Sequence, residues 1–273
     1  MTTQLKEQPS SFDADGNGWL IKAMVRSELL KLRKRRGLFW TTLTLSVGAV
    51  VVYFGVIELM HLISPATHGP AGGATDLSRA VTIMTLIGGT GAILVGATAG
   101  AGDASGIFRD LVATGRSRVA LFLARIPGAI ALYLPMIIVA YAITWLVTVS
   151  LAGTNPHATI GTLVQDGVVI VIAAVFNLIL SLAVASLTLS MSTTIAILMA
   201  WQFIVQNLLI NITYFGVYRE GLPLSSIGTM LPKARGPVSS VSGESILVAS
   251  LVLAVWTIVA IALGAYRTKT VDA

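Results

Sequence analysis

Glu58, Asp166, Gln202, Gln206 and Asn207 stand inside long apolar runs of this sequence. A charged group at mid-membrane costs about 2.5–3.5 kcal/mol, so an acidic residue there is a functional candidate. A carboxylate in such a place can carry a proton or a sodium ion. An amide can line a polar path or hydrogen-bond to a neighbouring helix. Glu58 and Asp166 lie about one to two turns from the predicted ends of their spans, within reach of water. Gln202, Gln206 and Asn207 recur at i, i+4 and i+5, so they can share one helix face. The five together form a candidate translocation path, with helix packing and interfacial solvation as the other reading.

Other chemistries lack their parts. The sequence has no Gly-Lys pair, hence no G-x-x-x-x-G-K-[ST] loop to cradle a nucleotide phosphate. No H-E-x-x-H pair exists, and Ser105 in "GDASG" misses the G-x-S-x-G arrangement by one residue. His61, His68 and His157 are scattered, and cysteine is absent. The chain is therefore expected not to be an enzyme and to hold no metal or cofactor of its own. The glycine-rich run "GGTGAILVGATAGAG" lies within a span, not at a strand-to-helix turn. Its Gly88, Ala92, Gly96 and Gly100 recur every four residues, the small-xxx-small spacing of close helix contact in lipid.

The elements that must position these residues follow from composition. Of 273 residues 55% are hydrophobic and 11% charged, against about 25% charged in a soluble domain. A helix crossing about 30 Å of hydrocarbon needs roughly 20 apolar residues, and six stretches qualify. They run over about 38–63, 80–101, 126–151, 160–187, 193–214 and 246–266, the fourth and fifth divided by the Ser/Thr-rich hairpin "SLTLSMSTT". No cleaved leader is expected, because residues 1–18 are polar. The predicted architecture is an all-α membrane protein with six transmembrane helices. Its parts are a polar tail 1–18, an interfacial amphipathic helix 19–37, a six-span domain 38–266 and a tail 267–273. Short surface or re-entrant helices are expected within 215–245, before span six.

The segment 102–126, "GDASGIFRDLVATGRSRVALFLARI", carries four arginines and two aspartates. Six charges in hydrocarbon would cost about 15 kcal/mol, and the eight Leu, Ile, Phe and Val residues between Asp103 and Arg125 return only about 4. It does not span. With six spans both ends share one side, and that side holds fourteen of the eighteen Lys and Arg residues. Both termini and this segment are therefore expected to be cytoplasmic. The basic residues cluster at membrane edges, where they meet anionic lipid, so no nucleic-acid partner is expected.

The order of these features resembles the permease subunits of ABC transporters of the type-2 exporter family. The resemblance rests on "ELLKLRKRR" (Glu28–Arg36), on Asp103, Gly106, Ile107, Phe108 and Arg109 followed by "RSR" (Arg116–Arg118), and on "LAVASLTLSMST". Asp103 departs from the glutamate more usual there. The resemblance implies a plasma-membrane permease whose coupling helix, Gly106, Ile107, Phe108, Arg109, Asp110 and Leu111, docks on a separate ATPase dimer. It further implies ATP and Mg on that partner and a second permease copy or homologue. An ion-coupled secondary transporter using Glu58 or Asp166, and a non-transporting immunity or sensor subunit, are the alternatives.

Overall fold

The computed structural model describes residues 14–104, 117–231 and 245–270. Among them no strand occurs, and six helices are long and apolar enough to cross a membrane. They are span one (Arg36–Ile63), span two (Ala74–Gly100), span three (Arg118–Ser150), span four (Ile160–Thr188), span five (Met191–Asn211) and span six (Ile246–Thr270). Helices suit such a setting because each satisfies its own backbone polar groups. An N-terminal helix, Ala14–Lys34, precedes them. The all-α, six-span membrane architecture is thus present as expected from the sequence.

Spans two and three start earlier than hydropathy places them, at Ala74 and Arg118 instead of about 80 and 126. Apolar runs mark the hydrocarbon-embedded part of a helix, whereas the backbone ladder continues into polar residues. Span three, with 33 residues, is about 50 Å long, well beyond the ~30 Å core. Spans four and five part at Leu189, whose φ of 54° is left-handed, and Ser190 caps span five by accepting the Thr193 N–H at 3.3 Å. The hairpin's hydroxyls thus act as punctuation.

Span two is the centre. In its most apolar stretch 78% of residues are buried, against 17% in spans one and six, whose Val52, Leu62, Leu247 and Ile258 are well exposed. Those faces are apolar and exposed, as contact with hydrocarbon requires. The N-terminal helix packs against span three at Gly128, where an added Cβ would stand 2.9 Å from Glu28 Cβ and 3.3 Å from the Val25 carbonyl. The packed face therefore includes Glu28, which is 8% exposed and bonded to Lys31 Nζ at 2.9 Å, beside the apolar Val25, Leu29 and Leu32. Gly128 lies ten residues into span three, about 15 Å from its start, so the N-terminal helix crosses near the hydrocarbon edge. Gly128→Leu should push that helix off. Tryptic cleavage within Lys31–Arg36 is then expected to speed up several-fold over wild type, and an unchanged rate would mean the helix is held elsewhere.

Beyond span five the chain forms a 3-10 stretch, Thr213–Gly221, and a short helix, Pro223–Met230. Every residue of the short helix is buried. It is tucked among the ends of spans four, five and six, which accounts for the apolar residues between prolines in this segment. Trp256 Nε1 on span six donates to the Gly221 carbonyl at 3.0 Å and so ties down its approach.

Candidate functional site

The residues expected from the sequence to form a coupling helix, Gly106, Ile107, Phe108, Arg109, Asp110 and Leu111, lie outside the described residues. Their flanks are described. Span two closes in a 3-10 turn at Ala101–Ala104, and span three opens at Arg118 after Ser117. Arg125 is 3% exposed, with its guanidinium within 4 Å of the Cβ position of Gly102. A side chain from the second turn of span three thus reaches the end of span two that leads into the charged segment.

The glycine stripe of span two serves two neighbours. A Cβ at Gly96 would lie 2.3 Å from the Leu178 carbonyl, and one at Gly100 would lie 2.3 Å from that of Leu182, both on span four. Ser181 Oγ donates across the same seam to the Ile93 carbonyl at 2.6 Å. Gly88 faces span three instead, where an added Cβ would lie 3.1 Å from Ile137 Cδ1, and the Tyr133 hydroxyl donates to its carbonyl. Ala92 is fully buried between the two. A step of four residues turns a helix about 40° past a full circle, so a four-residue stripe drifts from one neighbour to the next.

Three of the spans contain a π-turn: Thr44–Gly48 in span one, Met84–Gly88 in span two and Trp201–Val205 in span five. Such turns put an extra residue into the ladder, strand a carbonyl and recur at functional sites. Here amide side chains donate to carbonyls in two of the three turns. Gln202 Nε2 donates to the Leu86 carbonyl at 3.0 Å, joining the π-turns of spans five and two. Asn207 Nδ2 donates to the Gln202 and Phe203 carbonyls of its own helix at 3.1 and 3.2 Å. The Gln202 Oε1 atom is buried and has no hydrogen-bond partner among the described residues. Gly89 leaves room for this layer, since a Cβ there would press on Gln202 Nε2 at 3.0 Å and Asn177 Nδ2 at 3.3 Å.

The five polar residues singled out from sequence are thus placed apart. Gln206 Oε1 accepts the Leu224 N–H at 2.9 Å and caps the short helix. Glu58 Oε2 accepts the Ala71 N–H at 3.1 Å, which fastens the loop after span one. Asp166 is 2% exposed near the start of span four. Only Gln202 and Asn207 share one local arrangement, the π-turn of span five. Among the described residues no group of three or more metal-ligating side chains occurs.

No family model matches the chain, and no curated protein matches it.

Two sets of functional-looking residues escaped the sequence reading. Gln165 Nε2 donates to the Met230 carbonyl at 2.7 Å and holds the other end of the short helix. Tyr53 and Arg79 both donate to Asp76 Oδ1, each at 3.2 Å, on the side opposite the termini. The i, i+3 spacing of Asp76 and Arg79 was a visible signal for an ion pair, whereas the contribution of Tyr53 depends on how spans one and two pack.

Proposed function

We propose that this chain is the membrane-spanning permease subunit of an ATP-driven ABC exporter, placed in the plasma membrane with both termini cytoplasmic. One observation carries the reading: the arginine-rich segment that cannot enter the bilayer is strung between two helices fixed in the bundle. Span two is locked to span four through Gly96 and Gly100, and span three is braced by the N-terminal helix at Gly128. A push on the segment would therefore move packed helices as units instead of bending a loop. The sequence has no phosphate-cradling loop, so the energy would come from a separate ATPase dimer, which would also hold ATP and Mg. A second permease, identical or homologous, would complete the path. Ion coupling through Glu58 is less well supported, because that carboxylate already holds a loop N–H.

With no native cysteine, Ser117→Cys gives a clean topology probe. It is expected to react with a membrane-impermeant maleimide only after the cells are permeabilised, and labelling of intact cells would overturn the orientation. Phe108→Ala combined with Leu111→Ala should abolish co-purification of an ABC ATPase, or ATP-dependent export, while insertion stays at wild-type level. Unchanged co-purification and export would sink the docking role.

A further inference from the structure

On the side opposite the termini, a cavity of about 430 Å³ opens between the end of span one, the following loop and the start of span two. We propose that it is a headgroup site for a phospholipid of that leaflet, one with a zwitterionic phosphate–ammonium head.

The polar end of the cavity is built. Asp76 is only 7% exposed, and its Oδ1 receives both the Tyr53 hydroxyl and one Arg79 nitrogen. Arg79 is 64% exposed at its side chain, donates one N–H to Asp76 and lies beside the Tyr53 hydroxyl. A guanidinium has five N–H donors in a planar fork suited to phosphate, so most of its donor capacity remains for a ligand. Arg79 and Asp76 cancel in formal charge, which favours a head that is itself neutral overall, with phosphate on Arg79 and ammonium beside the carboxylate.

The other end is apolar. Ile57 and Met60 of span one line it. Met60 is 48% exposed and continues into the lipid-facing surface of Val56, Leu59 and Ile63. Depth agrees with an amphiphile. Arg79 stands five residues into a 27-residue span, about 8 Å from its start, and a ~30 Å hydrocarbon core centred on that helix begins near this level. A free anion would leave the apolar wall uncovered, whereas a phospholipid covers both ends. The occupancy of this cavity does not depend on whether the chain exports anything.

The test is native mass spectrometry of the full chain in detergent, with dihexanoyl phosphatidylethanolamine, glycerophosphoethanolamine and inorganic phosphate as probes. The short-chain lipid is expected to bind best. Arg79→Gln should weaken it about tenfold, as befits a lost charge-assisted hydrogen bond, and Arg79→Lys should recover part of that loss. Met60→Asn should weaken the lipid several-fold without changing glycerophosphoethanolamine. Both positions are exposed, so wild-type thermal unfolding of the variants is expected and would be checked alongside. Lipid binding indifferent to Arg79→Gln would overturn the site. So would inorganic phosphate binding as tightly as the lipid and unaffected by Met60→Asn, which would mark a free-anion site.

Discussion

Gly96→Ala is expected to lower the thermal unfolding midpoint of the detergent-solubilised protein, and Gly96→Leu to leave no monodisperse folded protein at all. The added Cβ would meet the Leu178 carbonyl at 2.3 Å, Ser181 Cβ at 2.8 Å and the Leu182 nitrogen at 3.0 Å. None of these can swing aside, because two are backbone and the third is the first atom of a short side chain. Spans two and four would have to separate, stretching the 2.6 Å bond from Ser181 to the Ile93 carbonyl. Overpacking of this kind costs about 1–3 kcal/mol for a small addition. Lipid tails are as apolar as leucine, so helices in a bilayer are held by close contact and by such hydrogen bonds. That makes the seam harder to replace than a soluble core. Gly100 lies in the same seam, its added Cβ likewise 2.3 Å from the Leu182 carbonyl, so the double alanine variant should cost less than the sum of the singles. Gly55 has nothing within 4 Å of its Cβ position, and Gly55→Ala should leave the midpoint unchanged. Equal behaviour of Gly96→Ala and Gly55→Ala, read by tryptophan fluorescence during heating, would mean that spans two and four are not packed in this way.

The spans were legible because one force dominates them. A run such as Leu38–Ile63 can be housed only in hydrocarbon, and hydrocarbon permits only a helix. Even the weakest boundary, between spans four and five, was marked by hydroxyl residues that cap the turn at Ser190. Gly96 and Gly100 announced a close approach by their spacing, although that spacing could not say that the partner is span four. The roles of the polar residues were hidden for a specific reason. Gln202, Gln206 and Asn207 are neighbours on paper, yet a π-turn at Trp201–Val205 lies among them and changes the angular step. A periodicity argument assumes an unbroken 3.6-residue repeat, and no residue type in "WQFIV" forbids it. Gln206 then points to a helix eighteen residues further on, and Gln165 to one sixty-five residues on. Such contacts are set by tertiary packing alone. Asp76 and Arg79 were readable as a pair, but the cavity over them needs the loop after span one, placed by Glu58 and by Asn155 donating to the Pro70 and Gly72 carbonyls.

Gln206→Met and Gln165→Met are each expected to speed amide deuterium exchange in Pro223–Met230 roughly tenfold while leaving the spans unchanged. The helix is eight residues long and its N-cap, Leu222, supplies no side-chain bond, so it is too short to persist alone in water. Two glutamines from different spans serve as its caps. Gln206 Oε1 takes the Leu224 N–H at the start, and Gln165 Nε2 reaches the Met230 carbonyl at the end. Methionine fills a similar volume without a hydrogen bond, so each change strands one buried backbone group at about 1–3 kcal/mol. A tenfold change in opening corresponds to about 1.4 kcal/mol, within that range. The two caps hold one small unit, and once either end is released the other has less to hold. The double variant should therefore exchange less than a hundredfold faster than wild type. Retention of wild-type exchange in both single variants would show that burial against spans four and six alone fixes the helix. Faster exchange in spans four and five as well would make the glutamines bundle supports, not caps.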